Sequence, residues 1–151
     1  MASNVMLSVE TILHLTRDHP QIVMLKHEDW PGLSKLTRVR RESGIGDTPR
    51  LSILTGNNGL FLPQEMARGA DGAMTGFAYP EMMVHVVRRA LVGDHDGAED
   101  VFDAYLPLVR YEQQLGIGLA IRKETLRRRG RSPARGSVHR DLHCRERITT
   151  N

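Results

Sequence analysis

The spacing of apolar positions changes several times along this chain, and each change marks an element. Val9, Ile12, Leu13 and Leu15 recur at helical spacing behind Ser8, a good N-cap with Thr11 three positions on, until His19-Pro20 stops them. The unbroken apolar run Ile22-Val23-Met24-Leu25, closed by Lys26, predicts a buried strand. Trp30-Pro31-Gly32 predicts a turn, and Leu33, Leu36 and Val39 then repeat at helical spacing up to Gly44. After the Asp47-Thr48-Pro49 break, Leu51–Thr55 predicts a second strand, ended by the turn formers Gly56-Asn57-Asn58-Gly59. Pro63 opens a short helix from Gln64 to Arg68 that Gly69 terminates, and Ala73-Met74-Thr75 predicts a third strand ending at Gly76.

From about Glu81 the pattern is helical almost throughout. Met82, Met83, Val86, Val87 and Leu91 make one face, and a second helix from about Gly97 to Leu115 turns Val101, Tyr105, Leu108 and Val109 inward. A last helix carries Ile121 and Leu126 into Arg127-Arg128-Arg129-Gly130. Strands with continuous apolar runs alternating with helices are the mark of βαβ units and a parallel sheet, an α/β fold. Three strands leave two unpaired edges, which folded proteins usually avoid, so the pattern implies part of a larger parallel architecture.

Composition adds exclusions. A chain of 151 residues with 40% hydrophobic and 26% charged residues fits one soluble globular domain. No apolar run approaches the ~20 residues of a membrane span, and Met1-Ala2-Ser3-Asn4 has no basic region before an apolar core. The one cysteine, Cys144, allows no internal disulfide, so a cytoplasmic, reduced protein is expected. Positive and negative side chains balance over residues 1–130. The net charge of +3 resides in residues 131–151, where Arg131, Arg135, Arg140, Arg145 and Arg147 face only Asp141 and Glu146. Neither a membrane nor a nucleic-acid partner is expected for the neutral body. Residues 131–151 lack apolar periodicity and predict a basic, disordered tail, with the composition of a GC-rich gene read in the wrong frame.

Candidate chemistry is sparse. His139, His143 and Cys144 fall short of the four paired ligands of a structural zinc site, so no metal is expected, and no cofactor either. Gly44-Ile45-Gly46 neither follows a strand nor opens a helix, so it is no phosphate loop. His14 lies on the stripe of the first helix and reads as a packed or rim histidine, and Met66, Met74, Met82 and Met83 read as core. Lys26 carries the most. A lysine closing a buried strand is held where apolar walls meet a polar rim, and desolvation there disfavours the ammonium, so that a neutral amine can attack a carbonyl. The plain alternative is a lysine that leaves the sheet and enters water.

Three stretches in order go beyond spacing: Ile22-Val23-Met24-Leu25-Lys26-His27-Glu28-Asp29, Ile53-Leu54-Thr55-Gly56-Asn57-Asn58, and Gly69-Ala70-Asp71-Gly72-Ala73-Met74-Thr75-Gly76-Phe77-Ala78-Tyr79-Pro80. Together they resemble the dihydrodipicolinate synthase/N-acetylneuraminate lyase family, with residues 1–130 as the C-terminal part of its (β/α)8 TIM barrel. The resemblance implies strands six to eight at Ile22–Lys26, Leu51–Thr55 and Ala73–Thr75, followed by the family's eighth barrel helix and added C-terminal helices. It implies that Lys26 forms a Schiff base with pyruvate or another 2-oxo acid, in a lyase or aldolase. Thr75, Gly76 and Phe77 would line the pyruvate side, with Asn57, Asn58 and Tyr79 at the second substrate. Family members often carry acidic residues where Asn57-Asn58 stand, and many have Asn where Tyr79 stands, so the exact activity does not carry over. The family's first five strands, with the threonine pair that binds the carboxylate and the proton-relaying tyrosine, have no counterpart in this chain. The resemblance therefore implies a truncated and weakly active form that assembles as a homo-oligomer or with a missing N-terminal half. The alternative is a non-catalytic barrel remnant that serves as an assembly or interaction module.

Overall fold

The computed structural model describes residues 6–131, so the basic tail with His139, His143 and Cys144 lies outside the described residues. The first helix, α1 (Val9–Asp18), is capped as its sequence predicts, with the Thr11 N–H donating to Ser8 Oγ at 3.1 Å. β1 (Met24–His27), α2 (Leu33–Glu42), β2 (Ser52–Thr55), a 3₁₀ turn (Asn57–Gly59), α3 (Leu62–Ala67) and β3 (Gly72–Ala73) follow. The chain closes with α4 (Pro80–Leu91), α5 (His95–Glu112) and α6 (Gly118–Arg128). The strands form one sheet in the order β1-β2-β3, and both pairings are parallel.

Register divides the sheet into two unlike faces. Leu25 pairs with Ile53, and His27 pairs with Thr55, which pairs with Ala73. Ile53, Thr55 and His27 are buried, because this face takes the helices. Leu36 and Val39 of α2 and Leu62 and Met66 of α3 join Ile53 in one continuous core that runs on through Met82, Val86, Phe102 and Val109. Each such aliphatic side chain contributes roughly 1.5–3 kcal/mol on burial. The alternate rows, Met24 with Ser52 and Lys26 with Leu54, point the other way. No helix among the described residues covers that face, and Met24 and Lys26 are exposed on it.

The N-terminal end of the sheet is tied by ions and backbone. Arg40 of α2 donates to Gly69 O at 2.7 Å and Leu51 O at 3.0 Å and pairs with Asp71, which also takes Arg50 and the Ile53 N–H (2.8 Å). Burial pushes the Asp71 carboxyl up, but Arg50, the Ile53 N–H and Arg40 outweigh it and hold the group below the usual carboxylate range. The stability this contributes is present above the ordinary aspartate pKa and is lost as pH falls through the lowered one.

Several sequence expectations shift. The first strand starts two residues later than the apolar run, and Ile22 and Val23 are exposed, because β1 is an edge strand among the described residues. The third strand lies one residue earlier than predicted and is short, although Met74 N–H still donates to Thr55 O at 2.8 Å. Met74 itself is exposed, so it is not core. His14 faces water, 3.1 Å from Asp18, because the buried stripe of α1 is Val9, Ile12, Leu13 and Thr16. Leu91 is exposed while Ala90 is buried, and Phe102 joins Val109 as the buried line of α5. No helix among the described residues is long and apolar enough to cross a membrane.

Candidate active site

Parallel strands bring their C-terminal ends to one end of the sheet, and the candidate site residues lie near the end of β1 (Lys26) or in the loops after β2 and β3. Lys26 sits one residue before the end of β1, on the uncovered face. Its ammonium lies 3.2 Å from Glu28 Oε1, and its side chain is 43% exposed. The desolvation that the apolar run predicts is therefore not met among the described residues, where no second layer walls in this face. The Glu28 carboxylate lies directly over Gly56, where a Cβ would overlap it. Glycine after β2 thus lets the Lys26–Glu28 pair close over the neighbouring strand end.

The two asparagines after Gly56 diverge. Both have left-handed backbones (φ 51° and 54°), a conformation asparagine tolerates better than most residues. The Asn58 amide is held at both ends: Nδ2 donates to Glu112 O at 3.3 Å, and Oδ1 accepts from Arg122 Nη2 at 2.7 Å. Asn57 instead lines a cavity with Trp30 and Phe61. Thr75 is half-buried at the rim beside Gly76. Phe77 is buried, its ring 6.1 Å from that of Tyr79, and Tyr79 packs 5.3 Å from Tyr105 with the Arg129 guanidinium 3.9 Å over its face. The rings of Phe77 and Tyr79 thus join an aromatic cluster under α5, leaving Lys26, Thr75 and Gly76 as the more open members of the set.

Sequence reading missed the residues that hold this rim together. Glu112 is buried, and its carboxylate accepts from Arg122 Nε at 2.7 Å and from the Ala78 N–H at 3.3 Å. The Arg122 guanidinium also fills the space a Cβ at Gly76 would need. One ion pair thereby fixes the loop after β2, the loop after β3 and the α5–α6 hairpin. Arg129 adds bonds to Ala78 O and Glu81. A signal was present: Glu112 continues the inward line of Tyr105, Leu108 and Val109, and a charge on a buried stripe needs a partner. Glu65 of α3 is the same kind of residue. Burial pushes its carboxyl up to about 7, against the lowering effect of a hydrogen bond from Thr55.

A three-stranded parallel sheet with helices packed on one face fits part of a barrel-type α/β architecture. No protein-family model matches the chain. A dihydrodipicolinate synthase from Rhodopseudomonas palustris shares 44% identity and a TM-score of 0.80 over 92% of this chain and 51% of its own. Dihydrodipicolinate synthase from Aquifex aeolicus, at 22% identity and TM-score 0.68, shares the fold over 93% of this chain and 49% of its own. A curated relative, L-2-keto-3-deoxyarabonate dehydratase of Azospirillum brasilense, is 29% identical over 117 residues, 77% of this chain and 37% of that protein. The chain belongs to the dihydrodipicolinate synthase/N-acetylneuraminate lyase family and spans about half the length, or less, of the relatives it matches.

Two outcomes are expected. Arg122→Ala leaves a buried carboxylate unpaired and costs about 3–5 kcal/mol in urea denaturation, with Asn58 and Ala78 amide shifts in NMR reporting loss of the clamp. Glu65 keeps its proton in the folded state up to about pH 7, against 4.5 for the free group. Its unfolded form therefore ionises first, and stability falls as pH rises from 4.5 to 7, by about 3 kcal/mol in all. Glu65→Gln lacks this slope, so denaturation of both proteins from pH 4 to 8 shows the variant gaining on the wild type across that window.

Proposed function

We propose that the described residues form the lysine-bearing part of a pyruvate-type lyase or aldolase in which Lys26 makes a Schiff base with a 2-oxo acid. The placement of Lys26 carries the reading: an amine at the C-terminal end of a parallel strand, facing the uncovered side of the sheet, with a carboxylate 3.2 Å away. The Glu28 carboxylate is positioned to take the proton that the ammonium must lose. The neutral amine then adds to the C2 carbonyl, and the carbinolamine loses its hydroxyl and a proton as water to give the imine. Loss of a proton from C3 yields an enamine. It adds to an aldehyde in the synthase direction or expels a β-hydroxyl in the dehydratase direction, the two reaction types named for the relatives. Thr75 and the backbone around Gly76 line the 2-oxo acid side, and Asn57 stands nearer the second substrate. Asn58 and Tyr79 act by holding the rim.

Strands outside this sequence, in the same polypeptide or another, complete the barrel and wall in Lys26. Two features support that completion. The outer edges of β1 and β3 have no partner strand among the described residues. A mostly apolar groove of about 310 Å³, lined by Leu54, Ala73, Met83, Val84 and Val87 with Arg88, runs along the β3 edge. These residues are a weak catalyst by themselves, since acid–base and oxyanion-binding groups each contribute factors of about 10² or more.

Borohydride reduction in the presence of pyruvate, read by peptide mass spectrometry, tests the assignment. The expected result is a reduced pyruvyl adduct on Lys26, absent in Lys26→Ala and increased when the rest of the barrel is supplied. No adduct at saturating pyruvate, with or without that complement, or equal labelling of Lys26 and Lys35, contradicts it.

A further inference from the structure

On the helix side of the molecule, α5 packs against α3 and α4 through a buried line that includes Phe102, Val109 and Glu112. Its other side carries a stripe of Asp103, Leu106, Pro107, Arg110 and Gln114, positions that share one face of a helix. All but the half-buried Leu106 are exposed. Two hollows border the stripe. One, of about 430 Å³, separates α5 from a wall of Leu33, Leu60, Phe61 and Gln64. The other, of about 470 Å³, lies along Pro107, Arg110, Tyr111 and Gln114. Trp30, exposed and with its ring 5.0 Å from that of Phe61, extends the apolar wall of the first. Strands that complete the barrel cover the open sheet face and leave this surface bare. The stripe is also ordered by charge, with Asp103 before its centre and Arg110 after it. Neither makes an ion pair or side-chain hydrogen bond among the described residues.

We infer that this stripe binds a second copy of the chain, with the two α5 helices packed antiparallel about a two-fold axis that passes between Leu106 and Pro107. Such an axis exchanges Asp103 with Arg110, Leu106 with Pro107 and Glu99 with Gln114, because the members of each pair stand equally far from it along the helix. Asp103 and Arg110 are two turns apart, about 10 Å along the axis, so each meets its opposite on the other copy. Two reciprocal ion pairs then flank an apolar centre, the usual plan of an apolar core with a polar rim. The ridge of each α5 enters the hollow beside the other, at the interaxial distance of about 8–10 Å typical of packed helices. Trp30, Leu33 and Phe61 supply the wall it meets, and an exposed tryptophan at such a place is a ready anchor. A parallel arrangement would set like charges against each other, so the charge order selects the antiparallel one. This surface stands whether or not Lys26 forms an imine, and it leaves the edges of β1 and β3 free.

Sedimentation equilibrium of the full chain and its charge-swap variants tests the assignment. Asp103→Arg puts two arginines on the stripe and Arg110→Asp puts two aspartates there. Each single change is expected to weaken self-association by about tenfold or more, through like charges brought face to face. Both positions are exposed and unpaired, so neither change burdens the fold. The double variant D103R/R110D restores both pairs and is expected to associate within about threefold of the wild type. An equimolar mixture of the two single variants is expected to associate at least tenfold more tightly than either alone, because every cross-pair in it is again of opposite charge. Association through the strand edges or the open sheet face responds to none of these changes. A wild-type chain that stays monomeric at about 0.1 mM, single variants that associate as tightly as the wild type, or a mixture that associates no better than its components overturns the assignment.

Discussion

A parallel sheet is stable when both faces are covered, and among the described residues helices cover one. That imbalance orders the rest of the molecule. The row of His27, Ile53 and Thr55, with the partly buried Leu25, lies under the helices, while the row Met24, Lys26, Ser52, Leu54 looks outward. Lys26 is half in water for this reason and for no peculiarity of its own loop. The same residue, with a second layer over the same face, would stand at the bottom of a closed site.

Positioning of the loops does not depend on that second layer. The Glu112–Arg122 pair binds the loops after β2 and β3 to the C-terminal helices, and Arg129 binds the loop after β3 a second time. The added helices thus act as a brace for the strand ends. At the opposite end of the sheet, Arg40 and Asp71 do comparable work, joining α2 to β2 and to the loop before β3. The described residues thus carry fastenings at both ends of the sheet.

The order of elements was legible because each strand is a short apolar run bounded by Gly, Pro or Asn, and each helix has a 3.6-residue stripe. Ser8 capped where expected, and Gly69 ended α3 with φ 91°. Strand boundaries were less legible, because where β1 begins depends on its neighbours: Ile22 and Val23 read as buried but lie in front of an edge strand. The site was legible as a set of loops at strand ends and illegible as a set of orientations. Asn57 and Asn58 are adjacent and alike in sequence, yet one lines a cavity and the other is clamped by residues more than fifty positions away. Glu112 fell on a buried stripe, but its ion pair with Arg122 depends on contacts that spacing does not encode, as does the burial of Glu65 beside Thr55.

Amide hydrogen exchange resolved by strand tests the open face and edges most directly. In the 151-residue chain at low concentration, the β2 amides are expected to be protected while those along the outer edges of β1 and β3 exchange rapidly. Both edges should become protected when the complementary strands are supplied or the chain assembles with itself. Edge amides as protected as those of β2 in the dilute chain, or edges that stay unprotected under every condition of assembly, would contradict the account.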